Sequence, residues 1–161
     1  MPVKTNAIRL LDAAGVDYRL LQYSLPDASL SGRASFGGAV AEALGLEPDR
    51  IFKSLVTIGT SGPVFAVLPA SSELDLKLLA KVRQERRMSL APRADVLGLT
   101  GYRRGAVTVL GAKKKFPVVV DELATLRDHI AVSGGAKGLQ VELSTTTYLE
   151  ITDAVVADIS R

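Results

Sequence analysis

Two β-rich runs around a short glycine-containing loop constrain this chain more than any other feature. The runs Phe52–Ile58 and Val64–Leu68 flank Gly59–Gly62, a pattern that predicts an antiparallel β-hairpin. Because side chains alternate between the two faces of a strand, Lys53 shares a face with Leu55. The hairpin therefore places a lysine beside an apolar neighbour on one strand.

Shorter helical and strand-like runs surround the hairpin without a regular βαβ repeat. The predicted helices are Asn6–Ala14, Phe36–Leu44, Asp75–Val82, Ala94–Leu97 closed by Gly98, and a last short helix capped by Ser144. The further predicted strands are Tyr18–Tyr23, Arg86–Leu90, Val107–Leu110, Val118–Asp121, Ile130–Ser133, Val141–Leu143 and Val155–Ile159, with a turn-rich loop over Ser24–Arg33. This order predicts one α+β domain over residues 1–161, with a mixed, strongly curved, barrel-like sheet and surrounding helices.

The composition narrows the chemistry. The chain has 161 residues, no cysteine and a single histidine, His129. Disulfides, cysteine nucleophiles and thiolate metal sites are excluded, and we expect no metal and no cofactor. The first residues carry no signal-peptide apolar region, and no apolar run is long enough to span a bilayer. We therefore expect a cytoplasmic protein without a membrane partner.

The net charge of +3 conceals a strong asymmetry. Between Lys77 and Lys115 there are 11 basic and 2 acidic residues, a balance of +9, which leaves −6 for the rest of the chain. Such segregation indicates a cationic face for a polyanion, although a solvated surface explains the charges equally well. The candidates for phosphate contacts are Arg103, Arg104, Lys113, Lys114 and Lys115.

Three further features admit both a functional and a structural interpretation. Lys53 is either a solvated residue that protects a sheet edge or a cation in a cleft beside a reacting oxygen. Gly105 lets a ligand approach the backbone, where a free N–H could stabilise an oxyanion, or it serves a bulge. Ser133–Gly138 is either an anion-binding loop or a β-turn, and a pairing of Ser133 with His129 is the weaker alternative.

Six stretches occur in the order found in a known family. They are Lys4–Leu11, Ile51–Val56, Leu74–Lys77, Thr100–Gly111, Phe116–Asp121 and Ser133–Leu143. Together they span nearly the whole chain, and the chain resembles the YbaK/prolyl-tRNA-synthetase-associated editing domain family.

The resemblance implies an enzyme that removes a wrongly attached amino acid, notably cysteine or alanine, from proline tRNA. It implies substrate-assisted ester hydrolysis, with Lys53 as the essential lysine and the Gly105 N–H as the oxyanion donor. The implied substrate-binding residues are Tyr23, Ala106, Thr108, Ser133, Gly134 and Gln140. The implied partners are aminoacyl-tRNA and prolyl-tRNA synthetase.

Three positions depart from the family pattern. Thr108 and Val109 replace a serine and a proline, and Gln140 replaces a pocket carboxylate. These changes put cysteine in question as the substrate. They also leave an alternative open, in which the chain is a non-catalytic module that binds tRNA or a synthetase.

Overall fold

The computed structural model describes residues 4–24 and 36–161, which contain five α-helices and eight β-strands. The helices are α1 (Asn6–Ala13), α2 (Phe36–Leu44), α3 (Leu76–Arg83), α4 (Arg93–Thr100) and α5 (Thr145–Thr152). The strands are β1 (Tyr18–Gln22), β2 (Phe52–Gly59), β3 (Gly62–Pro69), β4 (Ser89–Leu90), β5 (Val118–Asp121), β6 (His129–Ser133), β7 (Leu139–Ser144) and β8 (Val155–Ala157). Apart from Ser24, the predicted loop Ser24–Arg33 lies outside the described residues.

The predicted hairpin is confirmed and forms the centre of the larger sheet. β2 and β3 pair antiparallel, from Phe52 opposite Pro69 to Gly59 opposite Gly62. The five-stranded sheet has the order β4-β2-β3-β5-β8, with β4 antiparallel to β2, and with β5 and β8 parallel to β3 and β5 respectively. This sheet is therefore mixed, as predicted.

The remaining strands form a second sheet, so the expected single barrel-like sheet is not what the chain builds. β1, β7 and β6 make an antiparallel sheet of three strands, and neither sheet closes on itself. Among the described residues, a single isolated bridge between Ile51 and Ala131 joins the two sheets. A 3₁₀ turn at Pro48–Arg50 directly precedes this bridge, and the Ile51 N–H donates to the Pro48 carbonyl of this turn at 3.2 Å, so this N–H does not pair with β6.

The main core lies between the two sheets. It combines Phe52 and Val56 of β2 with alternate residues of the other strands, and α1 and α5 add Leu11 and Tyr148. The rings of Phe65 and Phe116 pack with their centroids 5.3 Å apart. On the opposite face of the larger sheet, α3 packs against a smaller cluster that contains Val64, Ala66 and Val119. The larger sheet is thus covered on both faces, which explains its apolar sequence.

Helix ends follow the predicted caps at α1 and α5, but α4 is longer than predicted. The Thr5 side chain accepts a hydrogen bond from the Ile8 N–H, and Ser144 caps α5 in the same way. α4 continues through Gly98 and ends at Gly101, whose φ of +80° provides the left-handed C-cap. A glycine inside a helix costs only about 1 kcal/mol, so Gly98 does not end α4.

The prediction of a strand at Val107–Leu110 is wrong. This segment contains no strand, because the Thr108 side chain accepts a hydrogen bond from the Leu110 N–H and bends the backbone. Two other strands are shorter than predicted, since β4 is confined to Ser89–Leu90 and β8 ends at Ala157.

We predict that Gly111→Ala destabilises the fold more than Gly45→Ala. The two glycines have nearly the same φ, +67° and +68°, so alanine costs about 1–2 kcal/mol at either position through backbone strain. A Cβ at Gly111 would lie 2.6 Å from the Asn6 carbonyl carbon and oxygen, whereas a Cβ at Gly45 has no neighbour within 4 Å. We expect Gly111→Ala to lose about 1–3 kcal/mol more in urea unfolding. Equal losses would show that α1 moves aside freely.

Candidate active site

A cavity of about 1100 Å³ opens between the two sheets and α4. Its walls come from β2, from the β4–α4 segment, from residues 102–107 and from the β6–β7 region. The predicted site residues that line it are Lys53, Arg103, Arg104, Gly105, Ser133 and Gln140. No carboxylate is among the described lining residues, so the charged groups at the wall are cations.

Lys53 lies in the wall of this cavity and is half-buried, which contradicts the interpretation as a solvated edge residue. Its Nζ donates a hydrogen bond to the Ser72 carbonyl oxygen at 2.7 Å. Burial lowers the pKa of the Lys53 ammonium, and the charge of Glu73 opposes this shift. The ammonium is therefore poorly hydrated and held at a defined place.

Gly105 occupies a tight turn at the cavity wall. The Ala106 N–H donates to the Arg103 carbonyl at 2.9 Å, and Gly105 has a φ of +88° at the third position of this turn. A type II turn requires a positive φ at this position. In the part of the chain that the structure describes, the Gly105 N–H has no acceptor. The turn therefore leaves one backbone donor available at the cavity wall.

Ser133 connects this turn to the glycine-containing loop. Its hydroxyl donates to the Ala106 carbonyl at 2.9 Å and accepts from the Gly135 N–H at 3.1 Å. The Gly134 N–H donates to the Leu139 carbonyl, so two amides of this loop are already paired within it. The loop is thus a structured turn that buttresses Gly105, and Ser133 does not pair with His129.

Gln140 and Tyr23 form a polar corner of the site. The Gln140 side chain is buried and lines the cavity, and neither its Oε1 nor the buried Tyr23 hydroxyl has a hydrogen-bond partner among the described residues. Burial raises the pKa of Tyr23, and the nearby Gly138 and Gln140 oppose this rise. Both oxygens are buried, and neither is in hydrogen-bonding geometry with a group in the described part of the chain.

Several predicted residues lie off the cavity lining. Ala106 and Thr108 are buried behind the turn, where the Thr108 hydroxyl accepts from the Leu110 N–H at 3.3 Å. Tyr23 and Gly134 also lie outside the lining. Lys113, Lys114 and Lys115 are exposed but do not line the cavity. Their predicted contacts with substrate or RNA stay predictions.

Four polar residues line the cavity in addition to the predicted set: Ser54, Arg93, Tyr102 and Lys137. The Ser54 hydroxyl is buried and faces the Tyr148 hydroxyl, and neither has a hydrogen-bond partner in the described part of the chain. Burial raises the pKa of Tyr148, and the facing serine opposes this rise. Ser54 could have been suspected from its place next to Lys53, whereas Tyr148 has no sequence signal beyond a helical apolar position.

In residues 4–24 and 36–161, no group of three or more His, Cys, Asp or Glu side chains is arranged to hold a metal ion. None of the helices in these ranges is long and apolar enough to cross a membrane.

The sequence profile of the aminoacyl-tRNA editing domain matches residues 35–151. The chain belongs to this family. The match covers both cavity walls that carry Lys53 and Gly105.

Individual relatives agree with this assignment. The chain is 39% identical over 158 residues, 98% of this chain and 93% of the relative, to EbsC of Enterococcus faecalis, a candidate Cys-tRNA(Pro)/Cys-tRNA(Cys) deacylase. It is 31% identical over 159 residues, 96% of this chain and 90% of the relative, to the Escherichia coli multifunctional Ser/Thr-tRNA deacylase ProXp-y. A candidate trans-editing enzyme for prolyl tRNA synthetase has the same fold, with a TM-score of 0.83, 24% identity and 99% of both chains covered.

Proposed function

We propose that this chain is a trans-editing deacylase that hydrolyses the ester of a mischarged tRNA, namely proline tRNA carrying a small wrong amino acid. The observation that carries the proposal is the placement of Lys53 and the unpaired Gly105 N–H on the walls of one cavity, in a member of the editing family. Its relatives include proteins named as tRNA deacylases. The family and the site thus support the same class of reaction.

Hydrolysis at this site does not require a nucleophile from the protein. The chain has no cysteine, its one histidine is exposed, and His129 is not among the described residues that line the cavity. The terminal ribose hydroxyl or the amino acid's own side chain can instead assist the attacking water, provided the substrate is held in a reactive geometry. The protein then contributes positioning and stabilisation of the developing negative charge.

Lys53 and Gly105 provide these two contributions. A poorly hydrated ammonium interacts with ester or ribose–phosphate oxygens more strongly than a solvated one, because water screens it less. The Gly105 N–H is oriented by its turn and meets the oxyanion without first losing another hydrogen bond. These two donors argue against the non-catalytic alternative, which would need neither of them.

Gln140 sets the recognition of the amino group. Its Oε1, which has no hydrogen-bond partner among the described residues, offers a neutral acceptor to the substrate ammonium at a position where the pattern of the resembled family has a carboxylate. A neutral acceptor makes a weaker hydrogen bond than a carboxylate does. We infer that the pocket takes small side chains such as alanine and serine at least as well as cysteine.

Basic side chains at the rim of the cavity are suited to binding RNA phosphates. Arg93, Arg103, Arg104 and Lys137 line the cavity and are exposed, and none of them makes an ion pair within the described part of the chain. Phosphates near the 3′ end of the tRNA would neutralise these charges. Lys113, Lys114 and Lys115 would reach phosphates further along the acceptor stem. A prolyl-tRNA synthetase would supply the mischarged tRNA to this protein in the cytoplasm.

We predict that Lys53→Ala lowers the deacylation rate by about 100-fold or more, the usual loss when one oxyanion-stabilising group is removed. The fold should survive, because the substitution removes one half-buried side chain and one hydrogen bond to Ser72. Deacylation of a charged tRNA and thermal unfolding are measured in parallel, with Lys81→Ala, at an exposed lysine of α3 outside the cavity lining, as the matched control. A folded Lys53→Ala protein with the wild-type rate would refute the site.

We predict that the double variant Arg103→Gln/Arg104→Gln flattens the dependence of tRNA affinity on salt and also slows turnover at saturating tRNA. The variant Lys113→Gln/Lys114→Gln removes the same charge away from the cavity, so it should flatten the salt dependence alone. Each lost phosphate contact should reduce the slope of log K against log salt by about 0.7–0.9. Filter binding between low and moderate salt measures this slope. Unchanged slopes in both variants would place the RNA on another surface.

We predict that wild-type protein removes alanine or serine from proline tRNA at least as fast as cysteine. Gln140→Asp should change the relative rates, because it restores a charged acceptor for the ammonium. Differences among such small side chains should stay within about 1–3 kcal/mol. Deacylation rates for Cys-, Ala- and Ser-charged proline tRNA test this, with the exposed Gln22→Asp as control. A strong cysteine preference that Gln140→Asp leaves unchanged would contradict the role of Gln140.

A further inference from the structure

The segment that follows Ser72, whose carbonyl binds Lys53, is hydrogen-bonded to a part of the chain that is distant in sequence. Residues 73–75 pair with residues 159–161 through three backbone hydrogen bonds. Glu73 and Arg161 exchange both of their N–H···O bonds, at 3.1 and 2.9 Å, and the Asp75 N–H donates to the Ile159 carbonyl at 2.8 Å. We call this paired segment the Lys53 anchor. It lies outside the described cavity lining.

A buried carboxylate fixes the anchor to the larger sheet. Asp121, at the end of β5, is fully buried and accepts from the Ile159 N–H at 3.0 Å through one oxygen. Its other oxygen accepts from the Leu123 N–H at 3.1 Å. Buried carboxylates are stable only when such donors compensate for lost hydration. Asp121 therefore holds residue 159 to a rigid part of the fold.

Ser72 and the anchor place a hydrogen-bond acceptor and a carboxylate near Lys53. The Ser72 carbonyl, directly before the paired residues, accepts from Lys53 Nζ at 2.7 Å. The Glu73 carboxylate follows it, and Arg161 Nε lies 3.6 Å from that carboxylate. Of these groups, Glu73 interacts favourably with the charged form of Lys53, and Arg161 competes for the same carboxylate.

We propose that Glu73 and Arg161 are positioning residues, which set the location and the charge of the Lys53 ammonium through the Ser72 carbonyl and their own ion pair. This rests on the proposed function only in so far as Lys53 takes part in deacylation. The balance matters because the other charged groups that line the cavity, Arg93, Arg103, Arg104 and Lys137, are all cations, whereas Glu73 carries the charge that favours a protonated Lys53.

The two single-charge variants should act in opposite directions. Glu73→Gln removes the carboxylate that favours the ammonium, so the pKa of Lys53 should fall further below its usual value. Arg161→Gln leaves Glu73 without its counter-ion, so the carboxylate acts more strongly on Lys53 and the pKa of Lys53 should rise. A merely structural disturbance would not produce shifts of opposite sign.

Lys53 can be followed without reference to turnover. The purified protein is labelled at a series of pH values with a trace amount of an amine-acetylating reagent, and mass spectrometry of the Lys53 peptide gives the deprotonated fraction. We expect the midpoint to move to lower pH in Glu73→Gln and to higher pH in Arg161→Gln. Arg19→Gln is the matched control, because Arg19 also pairs with a glutamate and its side chain is 67% exposed, as is that of Arg161. It should leave the midpoint unchanged.

Deacylation against pH is then measured on the same proteins. The protonated Lys53 is the active form, so the alkaline decline of kcat/KM should begin earlier in Glu73→Gln and later in Arg161→Gln. Because the Glu73–Arg161 pair is exposed, these shifts should shrink at high salt. Arg161→Pro adds a test of the backbone pairing, because it removes the N–H that donates to Glu73 as well as the guanidinium, so it should lower the rate whereas Arg161→Gln should not.

Each outcome decides between the two proposals. Labelling midpoints that do not move, or that move in the same direction in both variants, overturn the positioning role of Glu73 and Arg161. Midpoints that move as expected while the pH–rate profile stays fixed support the anchor and instead overturn the participation of Lys53 in deacylation. Unfolding in urea is measured for every variant, so that a loss of folded protein is not mistaken for either result.

Discussion

The rest of the structure depends on the β2–β3 hairpin, because one of its strands, β3, is buried in the core while the other, β2, also forms a wall of the cavity. β3 is buried from Val64 onward, between the main core on one face and the α3 cluster on the other. β2 contributes Phe52 and Val56 to the same core, yet its residues from Lys53 to Leu55 stay half-buried at the cavity wall. A lysine can occupy this wall because its stem packs among apolar groups while its ammonium reaches a carbonyl.

Most of the buried side chains that have a polar atom without a hydrogen-bond partner among the described residues lie at or next to the cavity wall. Ser54 and Gln140 line the cavity, Tyr23 lies next to Gln140 and Tyr148 lies behind Ser54, and each of these side chains has a buried oxygen without a partner among the described residues. An unpaired buried oxygen costs about 1–3 kcal/mol in stability. Folds retain such groups mainly at functional sites, where a ligand completes their hydrogen bonds. Their clustering supports the cavity as a binding site independently of sequence similarity.

Local patterns predict much of this fold, and interactions that depend on distant residues account for what they miss. The hairpin, the α1 cap at Thr5 and the position of Lys53 follow from alternation and capping chemistry. The two sheets are joined by the isolated bridge between Ile51 and Ala131, a contact between residues far apart in the sequence. The predicted strand at Val107–Leu110 does not form because the Thr108 hydroxyl accepts a hydrogen bond from the Leu110 N–H. The contact between Lys53 and the Ser72 carbonyl has no sequence signal at all, since every residue carries a carbonyl group.

The pairing of Glu73 with Arg161 also bears on how the protein folds. Lys53 is held by the loop at Ser72, and this loop is in turn held by residues 159–161, which follow the parallel strands β5 and β8 in the sequence. Contacts of such large sequence separation form late, because the intervening chain must first lose its conformational freedom. The cavity can therefore take shape around the hairpin while Lys53 is still untethered. Hydrolytic competence would be acquired in the final docking step, and local fraying of residues 159–161 would remove it without unfolding the core.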